Sequence, residues 1–162
     1  MLPELDNFHD LLKKLDYDIE RLNKTSHIYE LLDCLLTLNA IPEWIVNSST
    51  ENETLKEIAN QKLKIMKGHE FSFDENLLHE DFDQKLRLIR LVCNHAKHKT
   101  DSIHIPKIKR EMDCGFPMML PAKFGFVISI SKQSVDAEYL VFELAKFWKS
   151  KIESDATTTN SG

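Results

Sequence analysis

Between Arg87 and His98 the sequence carries five side chains that can hold or orient an anion: Arg87, Arg90, Asn94, Lys97 and His98. Each residue turns a helix by about 100°, so on one helix these five fall within a sector of roughly 120°. The apolar stripe Phe82, Leu86, Ile89, Cys93 and Ala96 lies opposite. Guanidinium and ammonium groups donate to phosphate or carboxylate oxygens, and the Asn94 amide, donor and acceptor at once, orients what they hold. The sector reads as a binding face; the alternative is the ordinary solvated face of an amphipathic helix. His95 stands roughly 140° round from Arg90, at the border of the core.

Cys93, His95, His98, His104 and Cys114 are zinc-ligand types. Cys93 and His95, two apart on a helix, point in different directions and cannot share an ion without unwinding it. No metal and no other cofactor is therefore expected. Glu80, Asp81 and Asp83 have no spacing that marks a general acid and base, and suit a helix N-terminus better. With four glycines and neither G-x-G-x-x-G nor G-K-[ST], the common nucleotide cradles are excluded.

These residues need elements to position them. Leu5, Phe8, Leu12, Leu15, Ile19 and Leu22 alternate spacings of three and four and predict a helix from about Pro3 to Leu22. Thr25 or Ser26 is expected to cap a second, more deeply buried helix through Ile28, Leu31, Leu32, Leu35, Leu36 and Leu38, with Pro42 kinking its end. Leu55, Ile58, Ala59, Leu63 and Met66 predict a shorter helix, a helical insertion over about 52–67, closed by Gly68 in a left-handed cap. The central helix is expected from about Asp81 to Lys99. Ile103 and Ile105 predict a short strand, and the alternation from Phe124 to Ile130 a better one. Gly115, Phe116, Pro117 and Pro121 suit the loop between them. Ser134 with Asp136 caps a last helix that turns Leu140, Val141, Leu144, Phe147 and Trp148 inward.

The fold class expected is α+β and predominantly helical, a single domain over 1–152. It is an antiparallel bundle of three long helices and one shorter, with a small β-hairpin in the C-terminal half. Residues 153–162, ESDATTTNSG, read as a disordered tail.

The chain has 162 residues and a net charge of −5, which works against indiscriminate binding of nucleic acid or anionic membrane. Charge is unevenly spread. From Gln84 to Arg110 eight basic residues face the single acid Asp101, a balance of +7 that leaves −12 elsewhere. Glu70, Asp74, Glu75, Glu80, Asp81 and Asp83 form an acidic run just upstream. The basic block is a candidate patch for phosphate, RNA or an acidic protein. No segment has the roughly 18 apolar residues of a membrane span. Three widely spaced cysteines without a C-x-x-C pair fit a reducing cytoplasm.

The run Arg90-Leu91-Val92-Cys93-Asn94-His95-Ala96-Lys97-His98 resembles the R-x-x-A-N-x-x-K-H signature of a family of small bacterial and phage proteins. Leu32 to Thr37, Glu43-Trp44-Ile45 and the closing Phe142 to Trp148 are similar to other parts of that family, together about half the chain. Cys93 replaces its usual Ala, and Ile41-Pro42 stands where it has a His-Leu pair. The family's helices in turn resemble HEPN domains, helical bundles of toxins, antiphage systems and RNA-processing proteins. Active members carry an Arg and, four to six residues on, a His. Arg90 and His95 match that spacing, whereas Leu91 departs from the polar residue usual beside the Arg.

The resemblance implies a non-catalytic cytoplasmic binding module of a bacterial or phage conflict system, of defence or toxin–antitoxin type. It would bind through Arg87, Arg90, Asn94, Lys97 and His98. The acidic remainder of the chain favours an acidic protein partner, with RNA and self-association as further candidates. The alternative is a metal-independent HEPN-like endoribonuclease. There Arg90 would stabilise the scissile phosphate, and His95 or His98 would take the 2′-hydroxyl proton.

Overall fold

The computed structural model describes residues 4–99, 104–112 and 124–158. Among the described residues five α-helices, each on a stretch expected to be helical, and a small antiparallel sheet, one strand larger than expected, make a predominantly helical α+β fold.

Helix α1, Phe8–Thr25, begins where Asn7 is extended and its side chain accepts from the amides of His9 and Asp10. This cap places the start five residues after the expected one, and Leu5 lies exposed outside it. Phe8, Leu11, Leu15 and Leu22 form the buried stripe. Neither Thr25 nor Ser26 caps the next helix. Thr25 ends α1, and Ser26 is its left-handed C-cap. His27 starts α2, Ile28–Val46, by accepting from the Tyr29 amide.

Helix α2 is the hub of the bundle, a place expected for the Asp81–Lys99 helix. It packs against α1, α3, α4 and α5, and its buried residues include Leu31, Leu35, Leu38, Ile41 and Ile45. It runs through Pro42, which is buried and lacks the N–H that would bond the carbonyl four residues back. At the α1 interface Asp18 is buried, accepting from Thr37 at 2.9 Å and from Lys14.

Helix α3, Glu53–Lys67, starts on the Asn52 side chain and ends on Gly68 at φ 74°, the cap anticipated from the residue type. Expected as an insertion, it packs against α2, α4 and α5 through Leu55, Ala59 and Met66, with Leu63 also buried. A 3-10 turn over Glu75–Leu77 leads to α4, Phe82–His98, capped by Asp81 and closed by left-handed Lys99.

Strand β1, Lys107–Met112, pairs antiparallel with β2, Phe124–Ile130, which pairs antiparallel with β3, Gln133–Asp136. Ile105 precedes β1 instead of forming the first strand, and Ile103 lies outside the described residues. So do Gly115 to Pro121, the expected loop. Ser131, at φ 52°, turns the chain into β3, a strand the sequence reading did not contain. That strand takes Ser134 away from the helix start, leaving Asp136 to accept from the Tyr139 amide at 2.6 Å. Phe126, Ile128, Ile130 and Val135 form one face of the sheet, buried in the same core as Leu140, Val141, Leu144 and Trp148. They belong to α5, Ala137–Thr158, which packs on β2 and β3. Helix α5 continues past the expected boundary at 153, so 153–158 are helical where a disordered tail was expected.

Candidate functional site

Only part of the predicted face of α4 is a face. Arg87 reaches across to α3, where Nη1 donates to the Met66 carbonyl at 2.6 Å. A helix leaves its last carbonyls without intrahelical donors and carries partial negative charge there, so a guanidinium satisfies both needs. Burial, and next the nearby charge of Arg90, lower the Arg87 pKa from its ordinary value; the group stays protonated. Arg90 turns toward α2, with Nη1 3.4 Å from Oδ1 of buried Asn39. Lys85, of the same basic block, pairs with Glu143 of α5 at 2.9 Å. Arg110 donates to the Ser26 carbonyl and lies over the Phe126 ring.

What remains at the surface lies near the exit of α4 and on β1. Lys97, His98 and Lys99 are exposed, as are Lys107 and Lys109; Asn94 is half-buried. Lys107 and Lys109 border a recess of about 500 Å³ between α2, α4 and β1. Ile28, Tyr29 and Leu32 contribute from α2, and Val92, His95 and Ala96 from α4. Pro106 to Lys109 form the third wall. A second recess of about 460 Å³ is lined by His104, Ile105, Ser129 and Ser131 together with Lys107 and Lys109. The two lysines therefore border both.

His95 lines the first recess, and its Nδ1 is buried without a hydrogen-bond partner among the described residues. Neither Arg90 nor its contact Asn39 lines the recess that His95 lines. Asn39, the contact of Arg90, stands seven residues along α2 from Leu32, a neighbour of His95 in the recess, or about 10 Å of helix. His98 is exposed at the end of α4.

Neither of the two described thiols is a nucleophile at neutral pH. Cys93 donates to the Leu35 carbonyl at 3.4 Å, and burial pushes its pKa up to about 12; burial does the same for Cys34, also to about 12. Among the described residues no three His, Cys, Asp or Glu side chains gather as a metal site. No described helix is long and apolar enough to cross a membrane.

Asn39 and the α2 wall of the recess escaped the sequence reading. One signal was visible: Asn39 and Thr37 interrupt an otherwise apolar run, and a polar side chain on a buried helix generally has a buried partner. The chain matches no protein-family model, no curated protein and no solved structure.

Proposed function

We propose that this chain is a non-catalytic interaction module that takes an acidic protein partner on the lysine-rimmed recess between α2, α4 and β1. One observation carries the reading: Arg87 and Arg90 are engaged with other helices, while Lys107 and Lys109 are exposed in the lining of an apolar recess and Lys97 and Lys99 are exposed at the end of α4. An apolar floor with a cationic rim suits a protein surface that brings carboxylates at its edge. A polynucleotide needs cations along its whole backbone track, and the acidic remainder of this chain repels one. The free buried thiols Cys34 and Cys93 favour a cytoplasmic setting, and the resemblance of the Arg90 to His98 run favours a bacterial or phage conflict system.

Cleavage asks an arginine and a histidine to meet at one phosphate. The different contacts of Arg90, on Asn39, and His95, in the recess, speak for binding instead. The test is affinity capture from lysate with the intact chain and with Lys107→Glu/Lys109→Glu. A co-purifying acidic protein, lost in the double variant, supports the reading. Co-purifying RNA, or RNA cleavage in chelator that disappears in Arg90→Ala, overturns it.

A further inference from the structure

The lysines of the rim sit on a strand with one neighbour. Strand β1 pairs with β2, and β2 with β3, so among the described residues β1 is an edge of the sheet. Side chains of an extended strand alternate between its two faces. Yet four consecutive residues, Pro106, Lys107, Ile108 and Lys109, all line the recess shared with α2 and α4. Consecutive residues of a strand line one recess when it runs along their backbone edge. The N–H and C=O groups of β1 that turn away from β2 therefore face this recess, and an edge of this kind is a template for another strand.

Resting on the acidic-partner reading above and specifying how the partner is held, we propose that β1 takes an extended segment of that partner as a fourth strand. The flanking chemistry selects the segment. Lys107 and Lys109 project to the same face of the sheet and are exposed. Residues opposite them on an added strand bring their Cβ atoms within about 5 Å, so carboxylates belong at alternate positions. Ile108 projects to the other face, half-buried, toward Ile28, Leu32 and Val92 of the recess. The intervening positions of the ligand are therefore apolar. Pro106, which has no N–H to offer, stands just before β1. The same lysines disfavour a second copy of β1 in register, because like charges would then stand opposite one another.

The experiment uses the intact chain and a synthetic peptide of alternating Glu and Val, roughly seven residues long to match one strand. Two versions carry N-methyl groups, each on the alternate amides that face one edge of the peptide. A third replaces Glu by Gln. Main-chain hydrogen bonds supply the affinity in strand addition. Methylating the edge that meets β1 is therefore expected to abolish binding, while methylating the other edge leaves it intact. The Gln version is expected to bind about tenfold more weakly. Amide exchange within Lys107–Lys109 is expected to slow about tenfold when the Glu-Val peptide binds. Binding that tolerates both N-methyl versions, or that leaves exchange in β1 unchanged, overturns strand addition while the acidic-partner reading stands. Failure of the Glu-Val peptide to bind also overturns it, and the partner reading is then judged on the capture experiment alone.

Discussion

Arg87 and Gly68 are in close register across the α3–α4 boundary. The guanidinium donates to the Met66 carbonyl at 2.6 Å and passes so near Gly68 that a Cβ there would stand 3.0 Å from Nη2. A cation expected on a binding face thus closes the end of a neighbouring helix. Arg87→Ala is expected to lower stability by about 1.5–3 kcal/mol, the usual worth of a hydrogen bond to a charged group. A denaturant titration reads it as a lower midpoint. An unchanged midpoint would return Arg87 to the solvated face.

Gly68→Ala is expected to cost about 1 kcal/mol for the left-handed backbone alone, since φ is 74°. Displacement of the guanidinium adds to that. In an Arg87→Ala background the second contribution disappears, so a double-mutant cycle should show a coupling of about 0.5–1 kcal/mol. Strict additivity would mean that the two groups do not touch in solution.

Lys14, Asp18 and Thr37 predict an asymmetry. Asp18 is buried at 3% exposure, whereas 41% of the Lys14 side chain is open to water. Lys14→Met strands a buried carboxylate with Thr37 as its remaining partner, at an expected cost of about 2–4 kcal/mol. Asp18→Asn keeps an acceptor for Thr37 and lets Lys14 turn to solvent, for about 1–2 kcal/mol. The reverse order in thermal melts would show that Asp18 is hydrated.

The two buried thiols predict alkaline instability. Each has a folded pKa near 12 against an ordinary 9.0, and burial is the first cause for both. The raised value means that the unfolded chain loses these protons first. Their contribution is fully present below pH 9 and is lost as pH rises toward 12. In a Cys114→Ser background, stability should fall by about 1.4 kcal/mol per pH unit per thiol over that window. Cys34→Ala/Cys93→Ala should remove this part of the slope. In the same Cys114→Ser background Cys34 and Cys93 should also resist a soluble disulfide reagent at pH 8 until the chain unfolds; rapid labelling would contradict their burial.

Rim charge should act on association. For the partner recovered by capture, salt and the Lys107→Glu/Lys109→Glu change are both expected to slow binding in stopped flow, with a much smaller effect on dissociation. A change confined to dissociation would indicate desolvated ion pairs in place of a rim.

Local patterns made much of the fold legible. The spacing of Phe8, Leu15 and Leu22 marks a buried stripe, Gly68 a left-handed helix end and Asp81 a helix start, because each depends on neighbours within a turn or two of chain; Leu11, buried where Leu12 was expected, is the exception. The alternation Phe126, Ile128, Ile130 marks a half-buried strand for the same reason. The start of α1 was less legible, since Leu5 continues the apolar spacing while Asn7 interrupts the helix.

What the sequence by itself determined is thus the helical and extended periods, several caps, and the concentration of positive charge between Gln84 and Arg110. Tertiary structure decided how that charge is used. Arg87, Arg90, Lys85 and Arg110 each meet a group 21 to 84 residues away, at Met66, Asn39, Glu143 and Ser26. Lys97, Lys99, Lys107 and Lys109 remain exposed. A helical period reports which side chains share a face, but it carries no information about what packs beside that face. Long-range packing alone distinguishes a cation that closes a neighbouring helix from one that waits in water.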